Sequence, residues 1–214
     1  MLSLSVKIQE SVGEIEKLLL EEISKEFSSA LNRAAVPIER KVRDLIRTAI
    51  ESTPEYSSLV SGQLKEEFGI VDSATKIATI VRMWIQSIVI IVKPFKLGRT
   101  QMKSGLVLQA IDTTFQDVIS MPEALQITKK GQVLSWLQWL LLEGDKTIIR
   151  EYEVAIGRRP GRAGPYIMKH TVVGRWGVPV QFVGTVTNNF VTRAIDSVAG
   201  QFDTIIEDEI TRKM

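Results

Sequence analysis

The chain has 214 residues, 27 Lys plus Arg against 25 Asp plus Glu, no cysteine and a single histidine, for a formal net charge of +2. Without Cys there is no disulfide scaffold, thiolate zinc site, iron–sulfur cluster or cysteine nucleophile. One imidazole, His170, cannot build a multi-histidine metal site within one chain, and serine–histidine chemistry would have to run through it.

The predicted elements begin with helices. From Val6, apolar residues recur at helical spacing through Ile8, Val12, Ile15, Leu18, Leu19, Ile23, Phe27 and Leu31, and Glu14, Lys17, Glu21 and Lys25 fill the other face. Pro37 is expected to end this helix. A second helix is expected to carry Ile38, Val42, Leu45, Ile46, Ala49 and Ile50. Ser52-Thr53-Pro54-Glu55 is a helix-start signal, with a small hydroxyl residue, a proline in the first turn and an acid near the exposed N–H groups. The short helix that follows holds Tyr56, Leu59, Leu64 and Phe68 and stops at Gly69.

Ile77, Thr79, Val81, Met83 and Ile85 alternate at period two, so the stretch from Ile77 to Phe95 is expected to be strand, with Leu106 to Ile111 as its partner. Gly98 and Gly105 bracket a hairpin-like loop carrying Lys96, Arg99 and Lys103. Ser120-Met121-Pro122-Glu123 repeats the helix-start logic. Gln132 to Leu142 is predicted to be a compact apolar helix ending at Gly144, and Thr147 to Ile156 a strand. Gly157 to Gly177 is predicted to be a long glycine-rich loop. Val178 to Val183 is expected to be a short strand or extended arm, and Asn188 to Arg212 a final helix.

The sum is an α+β fold: a small antiparallel β-sheet flanked by long N- and C-terminal helices. We assign it as one domain, with N-terminal helices over 1–52, a sheet-containing core over 53–183 with loops 96–105 and 157–177, and a C-terminal helix over 184–214. The longest aliphatic run, Ile88 to Val92, is too short to span a bilayer. Met1 to Lys7 lacks a basic segment followed by an apolar block, so no signal peptide is expected and the reading is a soluble, cytosolic chain. The first helix has more apolar face than a small sheet can cover, which points to another subunit.

Candidate chemistry is sparse. His170 lies between Lys169 and Thr171, with neither an orienting acid nor a nucleophile nearby in sequence, so a loop imidazole is favoured over a catalytic one. Gly157-Arg158-Arg159-Pro160-Gly161-Arg162-Ala163-Gly164 lacks both the Gly-Lys-Ser/Thr ending of a phosphate loop and GxGxxG spacing. Its charge is more informative. Arg158, Arg159, Arg162, Lys169 and Arg175 lie between Gly157 and Gly177 without an acid, a local +5 that leaves −3 for the rest of the chain. Such a patch attracts phosphate; the plainer alternatives are a solvated loop or one that docks on an acidic partner surface. Trp136 to Leu142 is expected to pack in the core rather than line a ligand pocket. Glu143 and Asp145 around Gly144 are explained by a helix end and turn.

One order of motifs points further. Trp136-Leu137-Gln138-Trp139-Leu140-Leu141-Leu142-Glu143-Gly144-Asp145 precedes an alternating strand, the Gly/Arg loop and Tyr166-Ile167-Met168. Then come Arg175-Trp176-Gly177-Val178-Pro179, Phe182-Val183-Gly184-Thr185 and Asn188-Asn189-Phe190-Val191-Thr192-Arg193-Ala194-Ile195. This order resembles virion structural proteins of tailed bacteriophages, of the neck or tail-completion type of contractile-tailed marine phages. Thr53-Pro54-Glu55-Tyr56, Leu59, Gly62 and Glu67-Phe68-Gly69 form a second similar block, so the resemblance spans roughly 53–69 and 117–196.

The resemblance implies a non-enzymatic subunit without cofactor or bound metal. It implies assembly into a homo-oligomeric ring, a hexamer, that joins the capsid portal or adaptor to the tail tube or terminator and lies in the virion after assembly in host cytoplasm. Genome DNA would pass through its lumen, and no membrane is involved. Tail-terminator duty and non-specific DNA binding through 157–177 are the alternatives. Under each of these readings Arg158, Arg159, Arg162, Lys169 and Arg175 are the candidate junction or lumen contacts.

Overall fold

The structure, a computed structural model, describes residues 12–97, 102–109, 111, 114–128 and 131–214. Met1 to Lys7 and the Gly98–Arg99 part of the expected hairpin loop lie outside the described residues. The fold is α+β, as the pattern predicts. Among the described residues its β component is three separate two-stranded antiparallel ribbons rather than one sheet.

Helix α1 runs unbroken from Val12 to Glu51, with Pro37 inside it. At 1.5 Å per residue its 40 residues span about 60 Å. Pro37 was expected to end the helix and does not. Its ring removes the hydrogen bond to the Arg33 carbonyl, a cost of about 3 kcal/mol. Against that, Ala30, Ala34, Ile38, Val42, Ile46 and Ile50 lie on one stripe and are completely buried. Full burial of each larger aliphatic side chain contributes about 1.5–3 kcal/mol, so packing on both sides of Pro37 outweighs the lost bond.

The short helix expected after Thr53 is broken at Gly62 into α2 (Pro54–Ser61) and α3 (Gln63–Phe68), while its start and stop signals hold. The Tyr56 N–H donates to Thr53 Oγ1 at 3.2 Å, and Gly69 ends α3 at φ +66°. The next segment corrects the sequence expectation. Ser73–Ser87 is helix α4, and only Val89–Leu97 is strand, β1. Ile77, Ile80, Val81, Trp84 and Ile85 are buried at spacings of three and four, whereas Met83, which the period-two pattern put inside, is exposed. β1 pairs with β2 (Met102–Gln109), which coincides with the expected partner Leu106–Ile111 only over 106–109, so Lys96, Lys103 and Gly105 belong to strands rather than to a loop. Arg43 of α1 ties this junction down. Its guanidinium donates to the Ile88 carbonyl (2.7 and 3.0 Å) and the Gln86 carbonyl (3.2 Å), and pairs with Glu39 at 2.8 Å. Glu39 in turn accepts from the Ile90 N–H at 3.0 Å.

Beyond the single turn α5 (Gln116–Ile119), the helix-start signal at Ser120–Glu123 yields only a 3-10 turn, Pro122–Ala124. Strands β3 (Gln126–Ile127) and β4 (Val133–Leu134) form a small ribbon, so the helix expected from Gln132 starts later, as α6 (Trp136–Leu142). β5 (Ile149–Ile156) pairs with β6 (Tyr166–Trp176). The long loop expected over Gly157–Gly177 is therefore half strand. Only residues 157–165 are irregular; alternation in Tyr166 to Trp176 is masked in sequence by Gly174 and interspersed charges. Val178–Val183 holds a 3-10 turn, Val180–Phe182, instead of a strand. The final helix is split by a 3-10 turn at Ala199–Gln201 into α7 (Phe190–Val198) and α8 (Phe202–Thr211). Asn189 caps α7: its Oδ1 accepts from Val191 and Thr192 N–H groups at 3.1 Å, and Thr192 Oγ1 accepts from the Asn189 N–H at 2.9 Å.

One contiguous core joins these elements. Trp84 stacks edge-on against Phe115 and Phe190, both with centroids 6.0 Å away, and Phe68 packs edge-on against Trp176 at 5.5 Å. α1 lies against β1, α7 and α8. Its first turns reach beyond the core, leaving Leu18 and Leu19 more than half exposed.

Candidate interaction surface

The five cations singled out from sequence sit on the β5–β6 hairpin, and all are exposed. They do not form one loop. Arg158, Arg159 and Arg162 lie on the 157–165 connection, while Lys169 and Arg175 belong to β6. The Gly157 N–H donates to the Pro165 carbonyl at 2.9 Å and closes the base of the connection. Arg162 is tied back, its Nη1 donating to the Ile127 carbonyl at 2.5 Å. Among the described residues Arg158 and Arg159 have no side-chain partner, so they are the two charges the tip offers outward.

The strand pairing adds a residue that sequence reasoning missed. Arg150 of β5 stands directly opposite Arg175 of β6. Like charges across an antiparallel pair are destabilising, and neither guanidinium has an acid within salt-bridge range among the described residues. The pairing also supplies acids: Glu153 faces Lys169, and Glu151 Oε2 lies 3.8 Å from His170 Nε2. The hairpin thus carries six cations and two acids over residues 149–177, less one-sided than the loop count implied.

His170 is exposed and stands edge-on to Tyr152 at 5.4 Å. An acid is near it after all, invisible in sequence because it comes from the opposite strand, yet imidazole and carboxylate are both well solvated. Glu143 lies beside Lys146 at 3.7 Å and forms a β-bridge to Thr185, a turn in keeping with the sequence reading. On α6, Trp136, Leu137, Leu140 and Leu141 are buried, and Trp136 Nε1 donates to the Glu123 carbonyl at 3.1 Å, so this helix is core as expected.

Beside the hairpin is a cleft of about 400 Å³ between α3, the β3–β4 ribbon and the β5–β6 hairpin. Phe68, Trp139, Tyr166 and Trp176 supply its aromatic walls. Glu67 fastens one side, its Oε2 accepting from Trp176 Nε1 at 2.9 Å. Trp139 and Trp176 meet edge-on at 6.1 Å, so the two rings brace one another in the cleft wall.

The blocks at 53–69 and 117–196 meet in space. Arg193 Nη2 pairs with the buried carboxylate of Glu55 at 2.5 Å. Gln181 Nε2 donates to Gln63 Oε1 at 2.9 Å, and Glu67 holds Trp176. Gly144 and Gly184 cross backbone to backbone, the Gly144 N–H donating to the Gly184 carbonyl at 3.0 Å. A Cβ on Gly184 would lie 2.3 Å from the Leu140 carbonyl oxygen, and one on Gly144 would lie 2.7 Å from the Gly184 nitrogen. These residues of the two blocks are thus joints of one scaffold that carries the basic hairpin.

Among the described residues no group of three or more His, Asp or Glu side chains is placed to hold a metal ion, and no helix is long and apolar enough to cross a membrane. The architecture is that of an α+β protein with an exposed basic hairpin. Neither a family model nor a curated protein nor a solved structure matches the chain.

Proposed function

We propose that this chain is a structural protein of the virion neck of a tailed phage, a non-enzymatic subunit of a homo-oligomeric ring, a hexamer, that joins the capsid portal or adaptor to the tail. The observation that carries this reading is the convergence of the two resembling blocks through Glu55–Arg193, Gln63–Gln181 and Glu67–Trp176. Residues of both blocks thus belong to one folded unit, which supports reading them together. The unit holds a hairpin whose tip presents Arg158 and Arg159 without partners among the described residues. In a joining ring such a tip grips an acidic rim of the portal, adaptor, tail tube or terminator.

The test replaces Arg158 and Arg159 by Glu in the phage genome. Both are exposed at the tip, so the expected result is a folded subunit, with heads and tails that accumulate unjoined in electron micrographs. Infectious particles at normal yield would overturn the assignment. A second reading, contact with genome DNA in the lumen, is favoured by the unneutralised Arg150–Arg175 pair, which a phosphate would bridge well.

A further inference from the structure

The described surface contains two patches that a single copy leaves open. One is the N-terminal part of α1. Leu18 (59% exposed), Leu19 (57%) and Ile23 (44%) project from it, left largely open by the described residues. The surrounding turns, Gly13 to Ser29, are acidic: five glutamates and two lysines. Both lysines are already engaged on their own helix, Lys17 with Glu21 at 4.0 Å and Lys25 with Glu22 at 3.2 Å.

The other patch is on β6. Between Arg150↔Arg175 and Tyr152↔His170 the register slips, and Thr171 to Gly174 bulge out opposite Glu151, which adopts φ +64°. The bulge exposes Val172 (87%) and Val173 (88%) almost completely. Lys169 and Arg175 stand at its two ends, with Arg150 beside Arg175. It is tightly wound rather than a loose flap. A Cβ on Gly174 would lie 2.2 Å from Thr171 Oγ1 and 2.6 Å from the Tyr152 carbonyl oxygen. A knob held in one shape loses little conformational entropy on docking.

We propose that the acidic leucine face of α1 on one copy receives the Val172–Val173 knob of a second copy. Apolar side chains meet apolar side chains, and the glutamates of α1 meet Lys169, Arg175 and Arg150. The two patches differ, so the contact is head-to-tail, the kind that repeats around a closed ring. The proposal rests on the ring reading above for its closure, while the pairing itself follows from the two surfaces. It also separates two duties of the hairpin. The knob lies six to seven residues beyond the start of β6, about 20 Å along the strand from the connection, so the neighbour takes the bulge and Arg158 and Arg159 stay free.

The experiment measures self-association of the full chain by sedimentation. The wild type is expected to associate with rising concentration, and less so at high salt. The double variants Leu18→Asp/Leu19→Asp and Val172→Asp/Val173→Asp, checked for unchanged circular dichroism, should each self-associate at least about tenfold more weakly. Mixed in equal amounts they should form a dimer and nothing larger, because one intact knob then meets one intact helix face. A wild type that stays monomeric at its solubility limit overturns the proposal. So does either double variant associating as the wild type does, or a mixture that stays monomeric. Should the double variants misfold, Leu19→Cys and Val173→Cys replace them, since the chain has no other cysteine. A bismaleimide should then link the mixture and neither variant alone; linkage of one variant to itself, or none in the mixture, overturns it. Association by this pairing with normal infectivity of the Arg158/Arg159 variant would sink the neck reading and spare the contact. The reverse pattern would do the opposite.

Discussion

Gly184 has no room for a side chain. An added methyl would meet the Leu140 carbonyl oxygen at 2.3 Å, and backbone cannot swing aside as a flexible side chain can. Gly184→Ala should therefore destabilise the fold by about 2–3 kcal/mol, as overpacking does, with thermal melting as the readout. Gly200, which has open space where its Cβ would go, is the control and should tolerate Ala. Arg193 makes a different kind of joint. It neutralises the buried Glu55 carboxylate while remaining partly in water itself. Removing it as Arg193→Met strands a buried charge, and breaking a fully buried pair costs about 3–5 kcal/mol. Solvent around Arg193 lowers that to roughly 2 kcal/mol, measurable by urea unfolding. Glu209 of α8 supplies a pH-dependent tether. It accepts from Lys41 of α1 at 2.6 Å and lies 3.2 Å from Arg212. The Lys41 hydrogen bond, with help from the nearby positive charges, holds its carboxyl below the usual glutamate value despite the opposing effect of burial. A depressed carboxylate pKa stabilises the fold at pH values above the unfolded value of about 4.3. That contribution disappears as pH falls through the lower folded value. The stability gap between wild type and Glu209→Gln should be widest near neutrality and close in acid.

At the scale of elements, burial decided where sequence periodicity was ambiguous. Ile77, Val81 and Ile85 satisfy a period of two and a period of four alike. Helix was selected by Ile80 and Trp84, which a strand would have put on the opposite face and which are fully buried. The start and stop at Thr53 and Gly69 were legible because their chemistry is local, acting on groups within a few residues. Pro37 was misleading for the complementary reason, since its local cost is met by core contacts from remote residues. The candidate surface was legible as a set of charges, but its division into tip and strand was not. Neither was Arg150, because cross-strand pairing is a long-range event. Helix α1 offers the check. Pro37→Ala restores the N–H needed by the Arg33 carbonyl and removes the ring, so it should stabilise the chain. The gain should be about 1–2 kcal/mol, below the full 3 because proline also restricts the unfolded chain. If α1 were instead kinked apart at this position in solution, the substitution would leave the melting temperature unchanged.

The whole molecule is electrically divided, and the division has a cost inside the fold. A net charge of +2 spreads over acidic α1 turns at one place and a hairpin of six cations and two acids at another. Arg150 and Arg175 face each other across the hairpin although an acid at either position would suit the isolated subunit better. Arg175→Glu converts the repulsive pair to an attractive one and should raise stability by a few tenths to about 1 kcal/mol. The same change should weaken whatever anionic surface the hairpin binds, so stability and binding move in opposite directions. With double-stranded DNA as the probe, log K against log salt falls with a slope of about −0.9 per phosphate contact. Arg175→Glu should make that slope shallower by about one if the phosphate backbone is the partner. A hairpin reserved for protein contacts gives no measurable DNA binding at low salt in either form. In that case the strain across Arg150 and Arg175 is relieved only when the subunit meets an acidic neighbour, and the variant should lose that contact even though its fold has become more stable.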